Sequence, residues 1–430
     1  MLMTGALVAG LISVVLGIVL FTTIPRHLGV WRFVQNNLWT EGIGWAPSFH
    51  HGIPWGYTWE EFHQQDLTGK TALVTGANSG IGFDLSFSLA QVGASVILAC
   101  RDPQKCSNAK SKILSEANPK GTISTMTIDT ASFASTRAMA QAYAHEYYGK
   151  QQPHTTIDLL FLNAGVMRLT DWNRDCPSKT DEDQIEVHFQ VNYLSHYLLY
   201  RLLEPFLSED ARIIPTSSGS SFQSFSYTVA TDLETLHRCD NGHFNLGGAN
   251  LAYGQSKVAL ILWVKKLARM LGPDSTRRVN AFHPGLVNTP IVEKILASGN
   301  LPAFAANVFR ERMSSTAWQS PDGALTGLYL ACVPAEKGIR GRYFHPMAQE
   351  VVNPASLDEK LQDDLWAFSQ DLVKDYLAPI EIPVAEEEEE EPTTSTTEME
   401  NGVDTAETTG TDDDNGETGE DEQEVDEEQS

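Results

Sequence analysis

A glycine-rich turn, placed directly after a short apolar run, limits the folds open to this chain more than any other segment. The turn covers residues 75–82 and reads Thr-Gly-Ala-Asn-Ser-Gly-Ile-Gly. Its glycines stand where a strand-to-helix connection must turn tightly, approach a phosphate and pack a helix against a sheet. The free N–H groups at the start of the following helix attract an anion. The turn therefore predicts a strand–turn–helix unit that holds a dinucleotide pyrophosphate.

Short apolar runs alternate with longer amphipathic stretches from Thr71 onward. This alternation predicts an α/β fold, a doubly wound parallel sheet of about seven strands with helices on both faces. The predicted strands are Ala72–Thr75, Ser95–Ala99, Ser124–Ile128, Leu159–Leu162, Arg212–Thr216, Arg278–Phe282 and Gly341–Phe344. The predicted helices include Ile81–Val92, Pro103–Ala117, Phe133–Tyr148, Asp183–Leu207 and Ala252–Leu271. Pro215 falls at the carboxyl end of a central strand, where a missing N–H is tolerable.

Tyr253 and Lys257 lie four residues apart, which places a phenol and an ammonium on one face of a predicted helix. A tyrosine can supply the proton for carbonyl reduction, but its ordinary pKa of about 10 is too high for easy proton exchange at neutral pH. A nearby cation stabilises the phenolate and removes this difficulty. An ordinary amphipathic helix face would show the same spacing. Together with the glycine-rich turn, however, the pair predicts hydride transfer between a nicotinamide and a carbonyl.

Further short motifs lie along the chain. They are Asp129 after an apolar stretch, Asn163-Ala164-Gly165 after another, then Asn192, Ser218, and Pro284-Gly285 with Thr289. With the turn and the Tyr/Lys pair, these segments resemble the short-chain dehydrogenase/reductase family, from about residue 71 to about residue 345. The stretches 99–102 and 191–196 are most similar to the retinol dehydrogenase and WW-domain oxidoreductase group, although no WW domain is evident. The resemblance implies a Rossmann-type fold over residues 66–378.

The resemblance also implies a role for each catalytic residue. Tyr253 would be the acid, Lys257 would bond the nicotinamide ribose, and Ser218 would bond the substrate oxygen. Asn192 would hold a water that joins Lys257 to solvent. Ser217, Ser220 and Ser221 crowd Ser218, which is chosen because it aligns with the serine of the family.

Cofactor contacts carry over from the family in the same way. Those around the pyrophosphate are Thr75, Gly76, Asn78, Ser79, Gly80, Ile81 and Gly82. The others are Asp129 at the adenine, Asn163 with Ala164 and Gly165 on the adenosine side, and Thr289 with Pro284 and Gly285 at the nicotinamide, besides Tyr253 and Lys257.

The residue after the second strand indicates which nicotinamide binds. NAD-preferring sites place a carboxylate there, whereas this chain has Cys100 followed by Arg101. A neutral residue and a guanidinium favour a 2′-phosphate, so NADP(H) is predicted over NAD(H). In the alternative, Arg101 points to solvent and Asp102 takes the acidic role.

An uncharged, almost wholly apolar stretch covers residues 4–24 and is long enough to span a bilayer as a helix. A cleaved signal peptide fits less well, because no Lys or Arg precedes the run. Arg26 and Arg32 follow it, which predicts a single-pass signal anchor in the endoplasmic reticulum or lipid-droplet membrane with the rest of the chain in the cytosol. Residues 25–65 are rich in aromatic side chains, which suit either a juxtamembrane segment or packing on the catalytic domain.

An acidic segment dominates the charge of the chain. Residues 386–430 hold 21 of the 56 acidic residues and no Lys or Arg, leaving 35 acidic and 30 basic residues elsewhere. Residues 379–430 are therefore predicted to be a disordered tail. No strongly basic face remains for nucleic acid. A homodimer and a basic partner for the tail both stay open.

Five cysteines, odd in number and without a CxxC pair, predict free thiols. His50-His51 lacks further ligands nearby, so no metal site is expected.

Two apolar segments suggest a lipophilic small-molecule substrate. The first lies between Ser218 and Tyr253, a gap longer than is usual in the family that the chain resembles, and the second follows Thr289. They contribute Phe222, Phe225, Tyr227, Leu233, Leu236 and Phe244, and then Ile291, Ile295, Leu296, Leu301, Phe304 and Phe309. The sequence therefore predicts a membrane-anchored NADP(H)-dependent oxidoreductase that interconverts a carbonyl and an alcohol on a retinoid-, steroid- or fatty-aldehyde-like molecule. The alternative is a catalytically silent nucleotide-binding platform that docks through its acidic tail.

Overall fold

Eight strands form the sheet at the centre of the fold. A computed structural model describes residues 56–148, 156–168, 178–222, 229–237, 248–287, 307, 310–311 and 317–382 of the chain. The strands are β1 Thr71–Thr75, β2 Ser95–Cys100, β3 Ile123–Thr127, β4 Ile157–Leu162, β5 Leu207–Pro215, β6 Arg278–Phe282, β7 Arg342–His345 and β8 Gln349–Val351. Their order is β3-β2-β1-β4-β5-β6-β7-β8, and all neighbours are parallel except β7 and β8. The Rossmann-type parallel sheet is confirmed.

The strand order reverses between β1 and β4, which pair with each other at the middle of the sheet. In an open α/β sheet, ligands bind in the crevice outside the carboxyl ends of the strands at such a reversal. The glycine-rich turn leaves β1 at this place, and the Asn163-Ala164-Gly165 loop leaves β4 beside it. Chain topology therefore brings the two segments together.

Helices cover both faces of the sheet. They are α1 Trp59–His63, α2 Gly80–Gln91, α3 Pro103–Glu116, α4 Phe133–Tyr143, α5 Val187–Phe189, α6 Ser195–Leu203, α7 Leu233–Leu236, α8 Gly248–Leu271, α9 Ser320–Cys332 and α10 Glu359–Val373. A π-helical turn, Gln190–Leu194, joins α5 to α6, and the continuous run 187–203 is called the composite helix below. Side-chain caps begin several of the helices, as at Asp102, Ser132 and Asp358.

Strands β1 to β7 contribute side chains to two separate cores, one on each face of the sheet. Leu73 of β1 belongs to the core that includes the composite helix, α4, α8 and α10, whereas Val74 belongs to the core that includes α1, α2, α3 and α9. Because both faces are covered, β1 and β4 are buried along their whole length, and β2 is buried at every residue except Ser95.

The predicted element boundaries differ from the structure mainly where polar residues extend a strand or a turn. β5 begins at Leu207, five residues before the predicted start, because Ser208–Asp210 continue the strand with outward-facing polar side chains. The helix predicted over 183–207 begins only at Val187, and the helix predicted over 133–148 changes to a π-helical turn at Ala144. β8 is an antiparallel edge strand that the predicted seven strands did not include.

The prediction of free thiols is wrong for one pair of cysteines. Cys100 and Cys106 form a disulfide with a Cα–Cα distance of 5.8 Å, and both side chains are buried. Cys100 ends β2, and the first turn of α3 brings Cys106 back over the end of that strand. A search for CxxC spacing misses a pair that a strand-to-helix turn brings together. Cys332 is a free thiol.

The aromatic segment before the fold packs partly on it. Trp59 donates from Nε1 to Asp322 Oδ1 at 3.1 Å, and the ring of Tyr57 lies 5.3 Å from that of Tyr329. Both contacts fasten residues 57–63 to α9, which supports packing rather than a membrane-surface role for this part of the segment. Residues 4–24 lie outside the described part of the chain. Among the helices that the structure does describe, none has the length and apolarity to cross a membrane.

The chain after α10 lies along α4. Arg137 donates to the carbonyl oxygens of Tyr376 and Pro379 at 2.9 and 3.2 Å, and Gln141 exchanges two hydrogen bonds with the backbone of Glu381. The acidic residues 386–430 lie outside the described part of the chain.

Candidate active site

The glycine-rich turn has the shape that a pyrophosphate needs. Gly76 and Gly80 have φ values of +68° and +56°, which a side chain would strain. A Cβ at Gly82 would lie 2.3 Å from Gly76 O, so the first turn of α2 packs directly on the loop. Ser79 occupies the N-cap position of α2 but makes no capping bond, and its side chain is exposed. The turn therefore presents backbone N–H groups and a free hydroxyl, which fits a bound dinucleotide.

Thr75 joins the turn to the loop after β4. Its Oγ1 accepts from the N–H groups of Asn163 and Ala164 at 2.8 and 2.9 Å and lies 3.0 Å from His196 Nε2. Asn163 returns a bond from Nδ2 to Thr75 O at 3.1 Å. These predicted cofactor residues thus shape the site through bonds to one another. Asn78, Ile81 and Gly165 lie on the same two segments.

Asn192 holds the loop after β4 to the helix that carries the Tyr/Lys pair. Its Oδ1 accepts from Val166 N at 2.7 Å, and its Nδ2 donates to Val166 O and to Ser256 Oγ at 3.1 and 3.0 Å. The side-chain amide therefore fastens these segments together. The predicted role in holding a water remains a prediction.

Ser218, Tyr253 and Lys257 meet beyond the carboxyl ends of β5 and β6. The hydroxyl of Ser218 bonds the phenol of Tyr253, while burial raises the pKa of that phenol. Of the neighbouring serines, Ser217 donates instead to Lys257 O at 2.8 Å, and Ser221 accepts from Asn353. Ser218 is thus the serine that reaches the phenol.

Lys257 is buried at the floor of this site. Its Nζ donates to Thr216 O at 2.8 Å and lies 5.6 Å from the centroid of the Tyr253 ring. Burial lowers the pKa of Lys257 to about 7. Burial and Ser218 are the influences on the Tyr253 pKa in this arrangement, so phenolate stabilisation by Lys257 stays a prediction.

On the adenosine side, Asp102 is committed to the protein. Its Oδ1 accepts from the N–H groups of Gln104 and Lys105 at 3.0 and 3.1 Å and caps α3. Arg101 is exposed at the end of β2. Asp129 accepts from Ala131 N at 2.9 Å in the turn after β3. Because Asp102 is used in capping α3, the alternative in which it receives the ribose hydroxyls is weakened.

Near the expected nicotinamide, Gly285 follows Pro284 with a φ of +90°, and its N–H donates to His283 Nδ1 at 3.3 Å. A Cβ at Gly285 would lie 2.9 Å from the Trp318 ring. Thr289 lies outside the described residues. The apolar residues predicted between Ile291 and Phe309 also lie outside them. In the apolar segment between Ser218 and Tyr253, the same holds for Phe225, Tyr227 and Phe244. Phe222 is buried against Tyr343, and Leu236 is also buried.

Sequence reasoning missed two buried histidines of the composite helix, His188 and His196. They lie four residues on either side of Asn192, and each bonds a segment of the site. His188 accepts from the N–H of Arg168, and His196 bonds the hydroxyl of Thr75. Burial lowers the pKa of His196 to about 3, which keeps it neutral. Polar residues recurring every four positions in an apolar helix were the available signal. Within the described ranges, no cluster of His, Cys, Asp and Glu could hold a metal ion.

This chain is similar to known proteins in sequence and in fold. Residues 70–230 match the family described as short chain dehydrogenase, and residues 240–342 match the family described as enoyl-(acyl carrier protein) reductase. Retinol dehydrogenase 14 of Mus musculus is 34% identical over 71% of this chain and 86% of its own length. The WW domain-containing oxidoreductase of Homo sapiens is 33% identical over 73% of this chain and 70% of its own length. A crystal structure of an uncharacterised Mycobacterium paratuberculosis protein superposes with a TM-score of 0.50 at 25% identity, covering 74% of this chain and 97% of that one.

The switch-point crevice and the glycine-rich turn define a dinucleotide-binding α/β protein. The sequence matches go further: the chain belongs to the short-chain dehydrogenase/reductase family of oxidoreductases, among relatives that include retinol dehydrogenases and the WW domain-containing oxidoreductase.

Proposed function

We propose that this protein is a membrane-anchored, NADP(H)-dependent oxidoreductase that interconverts a carbonyl and an alcohol on a lipophilic small molecule. The observation that carries the proposal is the meeting of Ser218, Tyr253 and Lys257, which come from two different segments. They meet beside the loop after β4, which Thr75 joins to the glycine-rich turn. A silent platform would not need this set, and each member is present.

The residues of the site suit protonation of a carbonyl oxygen. Because burial raises the pKa of Tyr253, its phenol stays protonated at neutral pH and can donate to the substrate oxygen. The Ser218 hydroxyl, already bonded to the phenol, is placed to bond the same oxygen. Bound NADP(H) would supply or accept the hydride, while the segments after β1 and β4 would hold it. In the reverse direction, Tyr253 would take the alcohol proton.

Local charge supports NADP(H). Arg101 is exposed and faces no acceptor among its described contacts, whereas the neighbouring carboxylate of Asp102 is occupied by backbone N–H groups. A guanidinium binds a phosphate through strong charge-assisted bonds, which NADPH offers at its 2′ position and NADH does not.

Chain composition supports the lipophilic substrate and the membrane. One apolar segment lies between Ser218 and Tyr253 in sequence, the other follows Lys257, and residues 4–24 are uncharged. A substrate dissolved in the bilayer would reach such a site laterally, and each methylene buried on binding contributes about 0.8 kcal/mol. Retinol is the substrate that the name of one relative states, and retinoids belong to this chemical class.

The decisive experiment is turnover by the full-length chain in detergent micelles. Retinal, a steroid ketone and the aldehydes from butanal to decanal would each be offered with NADPH and with NADH. We expect consumption of NADPH in preference to NADH, with kcat/KM rising along the aldehyde series. A flat or falling series would contradict the lipophilic substrate. NADPH binding without turnover of any compound would favour the silent platform instead.

The anchor is tested separately. In sealed microsomes that contain the full-length chain, protease added outside should digest the catalytic domain. Protection of the domain would contradict the proposed orientation.

A further inference from the structure

A buried carboxylate and a buried imidazole form a bonded pair at the start of the composite helix. The side chains of Glu186 and His188 are each 1% exposed, and Glu186 Oε1 lies 2.7 Å from His188 Nδ1. The same carboxylate accepts from the N–H groups of His188 and Phe189 at 3.0 and 2.7 Å. Three donors therefore satisfy the buried charge.

The second nitrogen of His188 crosses to the loop after β4. Its Nε2 accepts from the N–H of Arg168 at 2.9 Å. Since a peptide N–H can only donate, Nε2 carries the lone pair and the ring proton sits on Nδ1, facing Glu186. The two bonds fix both the tautomer and the orientation of the ring.

The ring that is held in this way packs against the phenol of the site. The centroids of His188 and Tyr253 are 6.1 Å apart with an angle of 81° between the rings, which is the edge-to-face arrangement that aromatic pairs prefer. Four residues further along, Asn192 fixes the same loop at Val166 and the Tyr253 helix at Ser256. Ser256 in turn donates to Tyr253 O at 2.7 Å. Backbone and ring of Tyr253 are thus held from one helix.

We propose that His188, oriented by Glu186, is a positioning residue for the phenol of Tyr253. The inference rests on the proposed function, because it assigns Tyr253 the acid role. A helix cap alone would require only the carboxylate of Glu186. The imidazole adds a link from that carboxylate to the loop and a wall for the phenol ring. Loss of the wall lets the phenol tilt, and a misplacement of about 1 Å at a reacting group costs on the order of 100-fold in rate.

Two substitutions separate the ring from its hydrogen bonds. His188→Gln keeps a side-chain acceptor directed towards Arg168 but removes the ring, whereas His188→Phe keeps a ring and removes both hydrogen bonds. The control is Tyr193→Phe, in the same composite helix as His188. It removes a hydroxyl that lies 2.7 Å from Ser369 Oγ of α10. Each full-length variant would be assayed for kcat and KM with decanal and NADPH, for NADPH dissociation constant and for thermal unfolding, beside wild type and Tyr253→Phe.

We expect His188→Gln to lower kcat about 10- to 100-fold while KM and the NADPH dissociation constant change by less than about threefold. His188→Phe should recover part of the lost kcat, because the ring returns without the two bonds that orient it. Tyr193→Phe should lower the unfolding temperature and leave kcat unchanged.

The inference is overturned if His188→Gln matches wild type, if the two His188 variants lose kcat equally, or if KM and NADPH affinity worsen in step with kcat. An inactive wild type would overturn the proposed function and this inference together. An active wild type with an inactive Tyr253→Phe and an unimpaired His188→Gln would overturn this inference alone.

Discussion

Gly82→Ala tests whether the close contact of α2 with the glycine-rich turn shapes the cofactor site. In an open helix this change would stabilise the protein by about 1 kcal/mol, because alanine has the higher helix propensity. Here the new Cβ would lie 2.3 Å from Gly76 O and 2.6 Å from Asn163 Nδ2. The neighbours of the Cβ are backbone and a bonded amide, so they must shift by about 1 Å to reach an ordinary contact.

The shift sets the size of the two expected effects. Overpacking costs about 1–3 kcal/mol, which cancels or outweighs the gain in propensity. Displacing the turn also misaligns its N–H groups. Loss of one hydrogen bond to a charged phosphate, at about 1.5–3 kcal/mol, weakens NADPH binding about 10- to 150-fold.

The assay is NADPH titration followed by fluorescence, together with urea unfolding of the same samples. Gly338→Ala is the matched control, because Gly338 has a φ of +58° but no atom within 4 Å of a Cβ. We expect it to lose about 1–2 kcal/mol of stability from backbone strain without any change in NADPH affinity. A Gly82→Ala protein that is more stable than wild type and binds NADPH equally well would refute the reasoning.

Three further predictions concern single side chains. Tyr253→Phe should lower kcat about 10²- to 10⁴-fold with little change in NADPH affinity, since the phenol contributes a proton and not a phosphate contact; retention of a tenth of wild-type turnover would falsify the acid role. Arg101→Ala should weaken NADPH binding and leave NADH binding unchanged, whereas Lys105→Ala, in the first turn of α3, should leave the ratio of the two dissociation constants unchanged. An unchanged ratio for Arg101→Ala as well would place its side chain in solvent. Burial lowers the pKa of Lys257 to about 7, whereas the unfolded side chain titrates near 10.5. Between these two pH values the unfolded chain binds more protons than the folded one, so the free energy of unfolding without added cofactor should rise with pH. Lys257→Met should remove that rise in urea unfolding measured from pH 7 to pH 10, and an identical slope in both proteins would contradict the burial of the ammonium.

The sheet and its switch point could be predicted because their signals are local. The apolar run of β1, the glycines after it and the four-residue spacing of Tyr253 and Lys257 each lie within a few residues of sequence. β5 was placed too short because pairing with β4, which starts at Leu207, overrides its polar residues.

Side chains whose partners lie on a different element of the fold escaped prediction. The Cys100–Cys106 disulfide depends on how α3 folds back over β2, and the role of His188 depends on a loop 20 residues earlier and a tyrosine in another helix. Spacing within one segment cannot reveal such partners. Arg101 illustrates the opposite case, in which the local charge pattern is plain but nothing in the described contacts tests it.

The bonds that gather at Thr75 also bear on how the protein folds. They join residues 88 and 121 positions apart, and the ammonium of Lys257 reaches a carbonyl 41 positions away. Contacts of such long sequence separation close late, because the intervening chain must first be ordered. Recovery of NADPH binding after dilution from denaturant should therefore lag behind the return of helical circular dichroism, which makes the cofactor site a reporter for the last stage of folding.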